Sequence, residues 1–527
     1  MGARARLTTA TALLAAAVTA VGVSACGGTT RHAARTQPPN ASSSGRSHAV
    51  VPLTLGSAGR TVPRGFLGLS MEFQAVRAYT GDDPAAVNPV LEALIRNLDP
   101  GQSPVLRIGG DSTDTSWVPA PGVTPPRFES YTITPGWLAT TAALAHAVNA
   151  KMILGVNLAA DEPALDAGEA RAYLAAFGRS TIGALEIGNE PNLYASIRQF
   201  QLTDGTWVTP RAHSFGPAGY EQEIQRTIAA LPRVSPAWSF AGPALAAGER
   251  AAGAGKWLAA VTGFLREQPS VRVVTVHRYP QKHCYTGPSS PQYPTIAHLL
   301  SDYSTRELAD GVRRWVMLAR AQGRTVRIDE LNSVACRGRA GVSNTFASAL
   351  WASDVLFSLA NVGVGGVNVH TLPDSAYQLF TFTRHGRRWQ GHVEPEYYGL
   401  QLFAQAAPAG SQLVGVTGAQ HGESLSTWAT RAPDGTERLL LIDKTPGDGR
   451  TVSVAMPSRA TGPVSVERMT APSLSARSSI SLGGRSYGAR TSSGTLSAPR
   501  TSGARERAGR VVVHLPGASA ALVTFQR

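Results

Sequence analysis

The chain has 527 residues, 43% of them hydrophobic and 16% charged, with a formal net charge of +14. That length and apolar content supply two or three packed cores, which excludes a disordered or fibrous protein. The basic balance invites an anionic lipid, wall polymer or acidic polysaccharide, or is only a soluble Arg-rich surface; with no recognition motif beside it, nucleic acid is not an expected partner.

Residues 1–26 read as a lipoprotein signal. Arg4 and Arg6 precede an apolar stretch from Ala10 to Val23, too short to span a bilayer. Val23-Ser24-Ala25-Cys26-Gly27 then resembles a lipobox, in which Cys26 is lipidated; the alternative is a plain secretory signal. Residues 27–49, rich in Gly, Thr, Ser and Pro, read as a flexible linker. The expected location is a bacterial cell surface, secreted and lipid-anchored to the membrane.

Residues 50–60 read as a strand, Val50–Leu55, ahead of the main domain. From 61 to 395 short β-rich runs alternate with Ala- and Leu-rich helical stretches. Eight runs recur: Phe66–Phe73, Val105–Gly109, Met152–Leu158, Ala184–Asn189, Trp238–Gly242, Val271–His277, Val326–Leu331 and Gly366–His370. Eight strand–helix units over some 300 residues fit a (β/α)8 TIM barrel. A doubly wound open sheet is the rival, without the glycine fingerprint of a dinucleotide site. Residues 396–527 change character, with strand-like runs such as Arg438–Asp443 and Ala520–Phe525 between Pro, Gly and Ser clusters. They read as an all-β sandwich that takes in the N-terminal strand. Within it, 474–509 reads as a long loop or partly disordered insertion.

Two further cysteines remain, Cys284 and Cys336. Outside the cytoplasm an even pair suggests a disulfide, contributing roughly 4 kcal/mol over a loop of this size; two buried thiols are the alternative. Their spacing suits no metal site, and no cofactor is expected.

The chemistry concentrates at strand ends. Leu185-Glu186-Ile187-Gly188-Asn189-Glu190-Pro191-Asn192 ends the fourth strand, and Val326-Arg327-Ile328-Asp329-Glu330-Leu331-Asn332-Ser333 forms the seventh. Catalytic groups of barrels sit at the C-terminal ends of strands, and strands four and seven face each other across the mouth. Two such carboxylates suit glycosidic cleavage, one as proton donor and one as nucleophile, about 5–5.5 Å apart in a retaining enzyme. Glu190 is the expected general acid/base and Glu330 the expected nucleophile. Glu186, four residues earlier, is the weaker candidate.

These strings resemble clan A glycoside hydrolases, whose Asn-Glu pair ends strand four. With Arg107-Ile108-Gly109-Gly110 on strand two, they resemble glycoside hydrolase family 79, which contains β-glucuronidases and heparanase-like enzymes. The resemblance implies a barrel with a sandwich built from both chain ends, and a retaining β-glycosidase acting on a glucuronide or other uronic-acid-containing glycan. Neutral-sugar specificity, or a non-catalytic carbohydrate-binding lipoprotein, are the alternatives. It further implies that Asn189 meets the sugar 2-hydroxyl and that Tyr279 hydrogen-bonds the nucleophile. Glu72 would bind sugar hydroxyls or else pair with Arg107. Arg107 would keep Glu330 ionised or serve only as a structural ion pair. His277 is a rim histidine at the substrate, Asp111 a weaker contact, and Tyr377 the candidate for the C5 carboxylate.

Overall fold

In the computed structural model, residues 50–198, 200–202, 204–246, 254–284, 286–418, 424–504 and 506–527 are described. The signal, Cys26 and the linker lie outside them. The β-branched runs become eight parallel strands: Leu67–Met71, Val105–Ile108, Lys151–Val156, Ile182–Ile187, Phe240–Ala246, Val271–Arg278, Thr325–Leu331 and Gly366–Thr371. They pair in that order and the eighth closes on the first, giving a barrel. Strands buried on both faces need no apolar/polar alternation, which is why Leu67–Met71 and Gly366–Thr371 are buried throughout. The fifth strand begins and ends later than its apolar run suggests. Trp238 stays outside it, its indole N–H donating to Pro232 O at 2.8 Å beneath the Arg179 guanidinium.

Helices wrap the barrel, several opening with Pro in the first turn, where its missing N–H costs nothing. The stretch 295–322 is broken into Ile296–Leu300, Arg306–Asp310 and Arg313–Ala321. The last barrel helix, Pro395–Ala406, lies against Phe346–Val362 at very close range. A Cβ on Gly399 would stand 2.0 Å from Ala349 O, so only glycine permits that approach.

The remaining strands form a curled sheet folded into a sandwich. The N-terminal strand, Val51–Thr61, runs through both halves: Val51–Leu53 pair in parallel with Val452–Val454, and its later residues pair antiparallel with Gln412–Thr417. Leu439 and Leu441 point into the sandwich core with Val523 and Phe525, while Leu440, Ile442 and Leu522 join the barrel core. One sheet thus buries both faces. Asp354, on helix Phe346–Val362, ties the two parts: Ser426 Oγ donates to it at 2.8 Å and the Trp428 indole N–H at 2.7 Å. Lys444 Nζ stands 2.6 Å from the same carboxylate, an ion pair by distance though not aligned as a hydrogen bond.

Segment 474–509 is largely irregular in backbone, as its composition suggests, yet it is seated. Ile480, Leu482 and Tyr487 are buried, and Tyr487 Oη donates to Gln401 Oε1 at 2.9 Å.

Candidate active site

Every strand-end residue singled out above lies around the C-terminal mouth of the barrel. Arg107, from the second strand, is the hub and is wholly buried. Its Nε donates to Glu186 Oε2 at 2.6 Å, Nη1 to Glu330 Oε2 at 2.8 Å and Nη2 to Asn189 Oδ1 at 3.0 Å. Burial opposes its charge, but Glu186, Asp329 and Glu330 outweigh it and hold the guanidinium firmly protonated. A buried cation persists only with this many partners.

The register between the sixth and seventh strands sets His277 beside Glu330. His277 Nδ1 lies 2.9 Å from Glu190 Oε1 and 3.8 Å from Glu330 Oε2. Burial disfavours a charge on His277, yet Glu330 and Asp329 raise its pKa well above the usual value. Tyr279 Oη donates to Glu330 Oε1 at 2.8 Å. Burial alone would raise the Glu330 carboxyl. His370, His277, Arg107 and the Tyr279 hydroxyl overcome it and draw the pKa down to about 2, so Glu330 is an anion at neutral pH. Beneath it, burial and Asp329 push Glu186 up to about 8 against the pull of Arg107. Glu186 lies against Arg107 and Asp329, which suits a support better than a reacting group.

Glu190 lies three residues past the fourth strand, in the left-handed region at φ 48°, just past Gly188 at φ 80°. Its N–H donates to Ala244 O at 2.9 Å, and its side chain stays partly open to the mouth. Non-glycine residues rarely adopt this conformation without a surrounding structure that imposes it, and such residues gather at functional sites.

Glu72 does not pair with Arg107. Its carboxylate accepts the N–H groups of Asp111 at 3.1 Å and Ser112 at 2.8 Å, together with the Ser112 hydroxyl. It caps the 3-10 turn Asp111–Thr115, and Gly110 makes room for it: at φ 94° a Cβ there would lie 2.3 Å from Glu72 Oε1. Asp111 accepts from Asn189 Nδ2 at 3.3 Å. Crowding in the mouth pushes its carboxyl well up, and Glu72, Glu190 and Glu330 add to the push, although its surface remains open to solvent. Tyr377 stands over the mouth, its ring 6.3 Å from Tyr279 and 5.9 Å from His370. Cys284 and Cys336 form a disulfide between the loops after the sixth and seventh strands. Among the described residues no group of three or more His, Cys, Asp or Glu is arranged to hold a metal.

Residues 427–522 match the glycosyl hydrolase family 79 C-terminal β domain. A β-glucuronidase of Neurospora crassa is 23% identical over 372 residues, which are 65% of this chain and 63% of that protein, so the match spans less than two thirds of the relative's length. The chain is a family 79-like protein, related to the β-glucuronidases. Two solved structures share the fold of this family 79-like chain. A 4-O-α-L-rhamnosyl-β-D-glucuronidase from Fusarium oxysporum 12S superposes with a TM-score of 0.68 at 19% identity, over 90% of this chain and all of that one. A family 51 arabinofuranosidase from Xanthomonas axonopodis pv. citri gives 0.62 at 16%, with the same coverage.

Sequence reasoning missed four members of this site. His370 lies 3.9 Å from Glu330 Oε2 and 3.7 Å from Glu72 Oε1; its place at the end of the eighth strand was the available signal. Ser70 bonds both His370 and Arg107. Asp329 neighbours Arg107 and His277. Asp114 accepts the Asn189 N–H, a contact between loops that spacing along the chain does not reveal.

Proposed function

We propose that the protein is a retaining glycoside hydrolase that cleaves β-glucuronides by double displacement. The observation that carries this reading is that one nitrogen, His277 Nδ1, reaches both carboxylates, at 2.9 Å and 3.8 Å. Their nearest oxygens are therefore within about 7 Å, which is compatible with the ~5–5.5 Å spacing of a retaining pair.

In this mechanism Glu330 attacks the anomeric carbon while Glu190 gives a proton to the departing glycosidic oxygen. The carbon–oxygen bond to the aglycone breaks and an ester to Glu330 forms. Glu190, now a carboxylate, takes a proton from water, whose oxygen displaces Glu330 and restores both groups. Arg107 and Tyr279 hold Glu330 ionised and aimed, and Asn189 Nδ2 is placed to meet the 2-hydroxyl. The glucuronide half of the reading rests on the relation to β-glucuronidases and on one corner of the mouth. There Tyr377 Oη has no hydrogen-bond partner among the described residues, and the nearby Arg337 guanidinium acts on it without a carboxylate partner among them. Four carboxylates line the rest of the mouth, so a uronate is best received at that corner.

A 2-fluoro glucuronide with a good leaving group should inactivate the enzyme and label Glu330, located by peptide mapping. Turnover without label on Glu330 would refute the nucleophile. Aryl glucuronide should outrun aryl glucoside by about 100-fold or more in kcat/KM. The reverse preference would assign a neutral sugar.

A further inference from the structure

We propose that Asp114 is the positioning residue that holds Glu190 in its acid/base geometry; this rests on the reading of Glu190 above. Asp114 sits in the 3-10 turn after the second strand and is 1% exposed. Its carboxylate gathers donors from two other loops of the mouth. Oδ2 accepts the Asn189 N–H at 3.1 Å and the Tyr194 hydroxyl at 2.5 Å, and Oδ1 accepts the Ala159 N–H at 3.3 Å. Asn189 and Tyr194 flank Glu190 on either side.

The left-handed backbone at Glu190 needs an anchor before and after it. The Glu190 N–H is tied to Ala244 O at 2.9 Å, and Ala244 is itself at φ 52° with its N–H on Thr275 Oγ1. The Asn189 N–H before it is tied to Asp114, while the Asn189 side chain is committed to Arg107 and Asp111. Tyr194 is braced in turn, stacked on Phe215 with the Arg211 guanidinium above both rings. A carboxylate is the group that fits: it accepts three bonds and donates none. An amide at the same place keeps only one accepting oxygen, so its NH2 would face either the Ala159 N–H or the Asn189 N–H. Asp114 is thus placed to act on the reaction through Glu190.

The test compares Asp114→Asn, Glu190→Ala and the parent protein on aryl glucuronides whose leaving groups run from phenol to dinitrophenol. Good leaving groups depart without a proton, so in kcat/KM, which reads the bond-breaking step, a displaced acid harms only the poor ones; the later step with water is common to the whole series. Asp114→Asn should lose about 10- to 100-fold in kcat/KM on the phenyl substrate, a share of the general-acid contribution, and less than about threefold on the dinitrophenyl one. Equal losses across the series, or none, overturn the proposal, because a merely structural role has no leaving-group preference. Should Asp114→Asn fail to fold, Tyr194→Phe removes one of the donors and carries the same expectation and the same refutation. If Glu190→Ala itself shows no leaving-group preference, the acid/base assignment falls and this proposal with it. If Glu190→Ala is selective and Asp114→Asn is not, only the role of Asp114 falls.

Discussion

At the scale of single residues the site is a problem in keeping one carboxylate charged inside protein. Glu330 has four allies, two of them hydrogen-bond donors of fixed geometry, Arg107 and Tyr279. Tyr279→Phe deletes one donor to the charged form without opening a cavity, so the Glu330 carboxyl should rise from about 2 towards its ordinary value. The acid limb of kcat/KM should move to higher pH, with kcat down about tenfold from the lost stabilisation. A pH–rate profile checks this, and an unmoved acid limb would separate Tyr279 from the ionisation of Glu330. The two carboxylates were legible because each closes an apolar run at a strand end, where topology alone decides which face they reach. Asp114 was not. Its contacts depend on which loops meet across the mouth, and nothing local in Asp111-Ser112-Thr113-Asp114 announces an acceptor for Asn189.

At the scale of elements, the barrel strands were readable from their β-branched runs, and the errors fell where packing overrides local pattern. The fifth strand runs on through Pro243 to Ala246, pairing with the sixth across a register shift. Segment 474–509 looks unstructured because its few anchors, Ile480, Leu482 and Tyr487, are far apart among Ser, Gly and Arg. Asp354 shows the same limit: mid-helix, its neighbours read as ordinary core, yet it holds three side chains of the sandwich. Asp354→Ala should cost about 3–5 kcal/mol, chiefly by leaving Lys444 a buried cation without its partner. Thermal unfolding should show a Tm lower by several degrees, while the variant, assayed well below that Tm, keeps its catalytic constants. Replacing Lys444 with Met in the same background should recover part of the loss; no recovery would mean that the lost hydrogen bonds to Ser426 and Trp428 dominate instead.

For the whole molecule, the buried carboxyls divide into two groups that act on stability with opposite sign. Burial pushes Asp99 up to about 7 and Asp166 up to about 8. Each binds its proton more tightly folded than unfolded, so the stability it lends is complete below about pH 4 and is lost as pH rises through 7 to 8. His277, raised well above its usual value, works in the same direction, its contribution lost as pH climbs past 6.5 and beyond. Glu330 is the opposite case. Its depressed pKa lends stability that is complete above about 4.5 and is lost as pH falls towards 2, and the depressed Asp329 behaves likewise. The net charge of +14 at pH 7 grows as surface carboxylates protonate, which adds repulsion on the acid side. The raised carboxyls lose their contribution progressively from about pH 4 upwards and the depressed ones regain theirs by about 4.5, which leaves a window near pH 4–5 in which neither penalty is large. Calorimetric Tm should therefore peak in that window and decline towards pH 8, whereas a protein whose carboxylates were all salt-bridged would hold its Tm to neutrality. A Tm that rises steadily from pH 5 to 8 would mean that these carboxyls are ionised in the fold. Asp166→Asn separates the cases further: with Thr227 still able to bond the amide, it should flatten the decline between pH 7 and 8 and leave the acid side unchanged.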